Sequence, residues 1–552
     1  YVHEADRLRE DLASLGVDGS GISIGVLSDS YNALGGEATG IASGDLPNNV
    51  TVLQDLTGGG LIDEGRAMLE LIHDIAPGAA LGFATAFTGQ LGFANNIRDL
   101  ARNAAFQADV IVDDVGYFTA PFFQDGVIAQ AVTDVFTTDG VAYFSSAGNA
   151  SDFAYESDNF NSAADTGGLF SGDQFHDFDA SGGSDTRQAL PSIANGQRIR
   201  FSLQWDDPFF TTSGVDTDLD VHLVLAGTDT IVGSSDNDNI ANQTPSEFLV
   251  YTNTSGAPQN LELMIEHAGG PAPGRIKYLD VDEIDVLEHD TNSPTVFGHS
   301  AASGGMAVAA APFFNHHSPE SFTSVGPTTI LFDAAGNPLG LPEIRNTPQI
   351  TAVDGNETSF FGQSFDPDQD GNSNFHFFGT SAAAPNAAAI AALVLDANPA
   401  FTAQQIYDRL SATAADLGTP GFDNLTGAGL INAYRAVFPS VTPAQLSGSG
   451  ATVTYTDSFE NGFLDSAWET NSTGGSWIRV VDNTATQGTF RVSMDASSNG
   501  FSPLGLNEAT FHVDLAGLTG VQLSFDNREF SDEDNAMPAT FTGSTNADGV
   551  AL

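Results

Sequence analysis

The chain has 552 residues, 41% of them hydrophobic and only 16% charged, which is the composition of a packed globular protein of two to four domains and not of a disordered one. Asp and Glu number 71 against 16 Lys and Arg, for a formal net charge of −55. Such a surface repels nucleic acid and anionic membrane, so neither is an expected partner, and it suits calcium binding or solubility at high salt. Cysteine is absent, which excludes disulfides and thiol catalysis. No run of apolar residues reads as a membrane span. No signal peptide is visible at Tyr1, so a secreted chain would have to be a processed one.

In chain order, residues 5–15 read as a short amphipathic helix with Leu8, Leu12 and Leu15 on one side. Ile22 to Leu27 read as a buried strand that stops at Ser28-Asp29-Ser30. A carboxylate just past the end of a first parallel strand stands where open α/β sheets place their sites, although a turn aspartate looks the same in sequence. Asp63-Glu64-Gly65 opens a helix that Ala76-Pro77-Gly78 closes. Strands are expected at Ala80 to Ala84, Ala108 to Gly116, and Val141 to Ser146, which runs into Ala147-Gly148-Asn149-Ala150. Alternation sends Asp113 and Asp114 to opposite faces, so only one of them can reach a cleft.

Thr166 to Asp290 read as an inserted β-sandwich of short alternating strands and Gly/Asn/Asp/Ser turns. Within it Asp216, Asp218, Asp220 and His222 alternate with apolar residues, either as a calcium-binding face or as a solvated one. A strand at Met306 to Ala311 resumes the first pattern. Asp366, Asp368 and Asp370, at alternate positions before Gly371, are candidate ligands of a structural calcium ion in an incomplete EF-hand-like loop. Phe377-Phe378-Gly379-Thr380-Ser381 then leads into an alanine-rich helix, Ala382 to about Leu395, with Pro385 expected in its first turn. A serine there meets unpaired N–H groups and the positive end of the helix dipole, which suits a nucleophile whose attack creates an oxyanion. From Ala444 the texture becomes a second β-rich module, a candidate glycan- or substrate-binding unit or a spacer. The division is therefore 1–165 and 291–440 for one α/β, doubly wound, mostly parallel domain, 166–290 for the insert and 441–552 for a C-terminal β-sandwich without a closing strand.

Gly379-Thr380-Ser381 followed by small residues and Pro385 resembles the nucleophile motif of subtilisin-like serine peptidases, the subtilases. The strand before Asp29, the Ala147-Gly148-Asn149 segment and Ser321-Phe322-Thr323-Ser324-Val325-Gly326-Pro327 resemble the same family, in the same order. The resemblance implies Ser381 as nucleophile, Asp29 as the triad acid and Asn149 as the oxyanion donor. It also implies Asp114, Val115 and Gly116 as a wall of the substrate cleft. Where subtilases carry histidine this chain has Glu64, as the related sedolisins do; their additional aspartate is replaced here by Met68. The expected triad is thus a hybrid of Ser381, Glu64 and Asp29. His73 lies roughly 180° around the helix from Glu64 and roughly 13 Å along it, which removes it as the base, and Asp63 is the nearer rival. Asp114 is expected to raise the pKa of Glu64 by like-charge repulsion, or to attract a basic P1 side chain, or to serve as a calcium or turn ligand. The expectation is a secreted, monomeric endopeptidase acting on proteins or peptides with acid-skewed activity. The alternative is a surface or adhesion protein on a peptidase core that has lost its chemistry.

Overall fold

The computed structural model describes residues 2–5, 8, 16–164, 170, 173–364 and 374–438, together with four strands between 468 and 511. Asp366, Asp368 and Asp370, most of the expected first helix, and the greater part of the C-terminal module lie outside the described residues.

The first half alternates strand and helix: β1 (Ser23–Ser28), α1 (Glu37–Ser43), β2 (Thr51–Gln54), α2 (Glu64–Ile75), β3 (Ala80–Thr85), α3 (Gly89–Arg102), β4 (Val110–Asp113), α4 (Val127–Asp134) and β5 (Ala142–Ser146). Their apolar runs are the mark of strands buried on both faces. After the insert, Gly305–Pro312 and Ile350–Asp354 complete a seven-stranded sheet in which every pairing is parallel. The first strand, β1, sits between β3 and β4, so the chain winds outward from it in both directions. The crevice at such a reversal, beyond the carboxyl ends of the strands, is where this architecture holds ligands. One face of the sheet is covered by α2 and by a helix from Thr380 to Ala397, the other by α3 and α4.

The Thr380–Ala397 helix is the centre of the larger core, and all but four of its 18 residues are buried. Its alanines let it lie close against the sheet. It begins two residues earlier than the sequence suggests, so Pro385 falls in the second turn, where its missing N–H leaves the Ser381 carbonyl without the usual helical donor. This segment is also long and apolar enough to cross a membrane, contrary to the sequence reading, but 83% of it is buried inside the protein.

The insert is a two-sheet β module, and it begins earlier than expected: Ala154–Ser157 and Ser162–Ala164 already pair into its sheets. Arg198–Trp205 is the core strand of one sheet, flanked by Ser246–Thr252 and Ile276–Asp280; Asp218–Leu225 and Leu261–Gly269 form the centre of the other. Trp205, Phe201, Leu219 and Ile265 close the space between them. On the outer face Asp220, His222 and Glu266 gather, with their ligand atoms within 4.8 Å of one another. In the C-terminal region Trp468–Ser472 pairs with Asn507–Phe511, and Trp477–Val481 with Arg491–Asp495, all antiparallel.

Candidate active site

Five chain segments end at the same crevice: the turn after β1, the first turn of α2, the ends of β4 and β5, and the start of the Thr380–Ala397 helix. Asp29, Glu64, Asp114, Asn149 and Ser381 belong to these segments in that order.

Glu64 is the first residue of α2 and lies at the centre of the group. The Ser381 hydroxyl and the Asp114 carboxyl lie near enough to its carboxylate to act on its pKa, without hydrogen bonds of normal geometry to it. Burial is the largest influence on it and, with the nearby charge of Asp29, raises its pKa from 4.5 to about 7, against the opposing effect of these two neighbours. Asp114 is pushed well above the carboxylate range, first by burial and then by the charge of Glu64, with Asp113 adding to it. Two neighbouring carboxyls cannot both ionise cheaply, so the pair favours holding one proton between them; their interaction raises Asp114 and lowers Glu64, which favours the proton on Asp114. Protonated Asp114 then faces ionised Glu64 as a donor. Ser28 Oγ approaches Asp114 without a hydrogen bond of normal geometry.

Asp29 is held by backbone amides. Its carboxylate accepts the backbone N–H of Glu64 at 2.9 Å and of Ile62 at 2.6 Å, as well as that of Ser30. It therefore anchors the N-terminus of α2 and acts on the Glu64 carboxyl through its charge, while the carboxyl that neighbours that of Glu64 belongs to Asp114. Asp63 is engaged elsewhere: in a left-handed conformation at φ 58°, it accepts from Ser30 Oγ at 3.0 Å and Ala33 N at 2.7 Å and pairs with buried Arg66 at 3.1 Å. His73 lies in the last turn of α2, at the far end from Glu64.

Ser381 is the second residue of its helix. Gly379 precedes it at φ 118°, a conformation that favours glycine; its N–H donates to Asp354 at 2.7 Å, and a Cβ there would meet the Asn149 amide nitrogen at 3.2 Å. The Asn149 oxygen accepts from the Thr380 N–H at 3.0 Å and the Thr380 hydroxyl at 2.8 Å. Thr380 Oγ1 in turn accepts from Gly148 N at 3.2 Å. With its oxygen fixed by two donors, the asparagine turns its NH₂ to the crevice as a preset donor.

Beside Ser381 opens a cavity of about 220 Å³. Asp114 and Gly116 line it, as does Asn149; Val115 is not among its lining residues and instead packs its side chain towards the α3–α4 core. His299, the histidine that lines it, is committed to Asp113 at 2.9 Å. The opposite wall comes from Leu279 to Glu283 of the insert and from Phe297. Sequence reasoning missed this wall, because nothing local in residues 279–283 marks them as neighbours of residue 381.

The model of the subtilase family matches residues 38–429. The chain belongs to the subtilase family. It is 30% identical over 174 residues to subtilisin of Bacillus pumilus, a match covering 29% of this chain and 59% of that protein. It is 42% identical over 59 residues to an extracellular serine protease of Serratia marcescens, covering 11% of this chain and 6% of that one. Among solved structures, the CspB protease of Clostridium perfringens matches 79% of this chain and 96% of its own at 11% identity, with a TM-score of 0.45. This subtilase thus spans little more than half of the Bacillus subtilisin it matches.

Proposed function

We propose that this subtilase is a secreted serine endopeptidase in which a carboxylate replaces the usual imidazole. Ser381 Oγ attacks the peptide carbonyl as its proton passes to Glu64. The Asn149 NH₂ and the Ser381 N–H receive the oxyanion. Glu64 then gives its proton to the leaving amine, and an acyl ester on Ser381 remains. Water enters, loses a proton to Glu64 and attacks the ester; the proton returns to Ser381 as the acid leaves. Asp114 keeps its own proton throughout and steadies the Glu64 carboxylate. Asp29 contributes a fixed charge that opposes ionisation of Glu64 and so makes it a stronger base.

One observation carries this reading: the buried Glu64 carboxylate has the Ser381 hydroxyl and a second carboxyl, that of Asp114, as its near neighbours. An unperturbed carboxylate is a poor base toward a serine hydroxyl, and the burial of Glu64 to a pKa of about 7 removes that objection. It also moves the onset of activity toward neutrality, above the acid range that an ordinary glutamate suggests. Secretion is supported by the Serratia relative's description as extracellular. Calcium at Asp366, Asp368 and Asp370 rests on the sequence alone and enters no catalytic step. The test is labelling with a fluorophosphonate probe. Wild type should form a covalent adduct on Ser381, Ser381→Ala none, and Glu64→Gln an adduct far more slowly. No adduct on a folded wild type would support the inactive surface protein instead.

A further inference from the structure

The cavity beside Ser381 is walled on one side by the insert, and that wall is acidic. Leu279, Asp280, Val281 and Glu283 end the strand Ile276–Asp280 and its following turn, and all four line the space that Ser381 and Asn149 also line. Phe118 and Phe297 stand among the other lining residues, with ring centroids 6.5 Å apart.

The carboxylates of this turn are not equivalent. Asp282 is spent on Arg200, which donates to it from two nitrogens at 2.6 and 3.0 Å. Asp280 is almost wholly buried, at 2% exposure. Its Oδ2 accepts the N–H groups of Ile284 at 2.8 Å and Asp285 at 3.1 Å, whereas Oδ1 has no partner. A buried acceptor left unpaired destabilises a protein unless something else fills its valence. Glu283 stands at the rim, exposed, and has no cation beside it among the described residues. No lysine or arginine lines the cavity, and the one histidine that does is bonded to Asp113 at 2.9 Å.

We propose that the insert makes this cavity a receptor for the cationic side chain, arginine or lysine, on the acyl side of the scissile bond, with Asp280 and Glu283 as its specificity-determining residues. The apolar stem would pass between Leu279 and Val281 on one side and the two phenylalanine rings on the other. A guanidinium or ammonium at its end supplies the donors that Asp280 Oδ1 lacks. This rests on the peptidase reading for its biology, but the charge preference of the cavity can be measured without turnover.

The experiment uses the Ser381→Ala protein and a peptide carrying arginine at the position before the cleavage site, compared with the same peptide carrying citrulline, which has the same shape without the charge. Binding is read by fluorescence anisotropy at pH 7.5. Arginine should bind at least 10-fold more tightly than citrulline. The ratio should fall at least threefold in Glu283→Gln, a rim substitution that leaves packing intact, and further in Asp280→Asn, whose folding is checked by its thermal midpoint. Equal binding of the two peptides, tighter binding of citrulline or of leucine, or a ratio unchanged in Glu283→Gln overturns the proposal. Wild-type fluorophosphonate labelling is run in parallel. A normal adduct with no charge preference refutes this inference alone, while charge preference without an adduct refutes the peptidase reading alone.

Discussion

Asp114 offers the sharpest test, because the proposed mechanism gives it a proton and a direction. Asp114→Ala removes the donor that faces ionised Glu64, and a bond to a charged group contributes about 2 kcal/mol. That corresponds to about 1.5 pK units, so Glu64 should ionise near 8.5 in place of about 7. At pH 7 the ionised fraction then drops from about half to about 3%, and kcat/KM falls about 15-fold by this route. Asp114→Asn keeps a donor of the same shape, so its pH profile should start within about half a unit of wild type. The assay is kcat/KM from pH 5 to 10 on one fluorogenic peptide for all three proteins. If Asp114 were instead ionised, Asn would remove a repelling charge and shift the onset down. An onset more than one unit lower in Asp114→Asn, or an Asn profile indistinguishable from Ala, refutes the shared-proton arrangement.

Four further outcomes follow from the same geometry. Glu64→Gln should lower kcat by about 10²- to 10⁴-fold, the usual worth of a general base, without loss of fold by circular dichroism. Because carboxyl ionisation is nearly athermal and imidazole ionisation is endothermic, the kinetic pKa near 7 should stay constant between 10 and 40 °C; a steady fall on warming would implicate a histidine. Asn149→Ala should cost about 10²- to 10³-fold in kcat with KM little changed, and Gly379→Ala should do similar harm by displacing the Asn149 amide. Stability should have an unusual slope. Burial raises Glu64 and Asp280 to about 7 and Asp354 to about 8, so their stabilising neutral forms are complete below the unfolded carboxylate value of about 4 and are lost as pH climbs through 7 to 8. The urea midpoint should therefore be higher at pH 6 than at pH 8.5; below pH 6, buried His3 and His176 and half-buried His317, held at about 3 to 4, begin to oppose.

The parts of the site that local sequence specifies are legible in the chain itself. Asp29, Glu64, Asn149 and Ser381 each stand at a strand end or helix start, where periodicity changes and turn residues intervene, and the fold brings all four to one crevice. Strand alternation also separates Asp113 from Asp114: the first turns to His299 and Ser145, the second to Glu64. Local pattern does not carry which carboxyl bonds which. Asp29 and Asp114 are both acidic residues past a parallel strand, and only the placement of the α2 amides shows that the first is occupied by backbone. The insert's longest strands, such as Arg198–Trp205 and Leu261–Gly269, can be read from their alternation, but shorter ones such as Ile276–Asp280 cannot, and the acidic turn after that strand meets the nucleophile across a separation of about 100 residues that no local pattern encodes.

The alanine-rich helix has a consequence for the proposed secretion of the chain. An exported polypeptide threads through its translocation channel unfolded, and a stretch of 18 such residues arrives there looking like a stop signal. Alanine is less lipid-seeking than leucine, and Pro385 weakens the helix while it lacks its tertiary partners. Replacing several of these alanines by leucine would overfill the interior of the folded protein and, if the proposed secretion holds, would also favour arrest of the nascent chain in the bilayer.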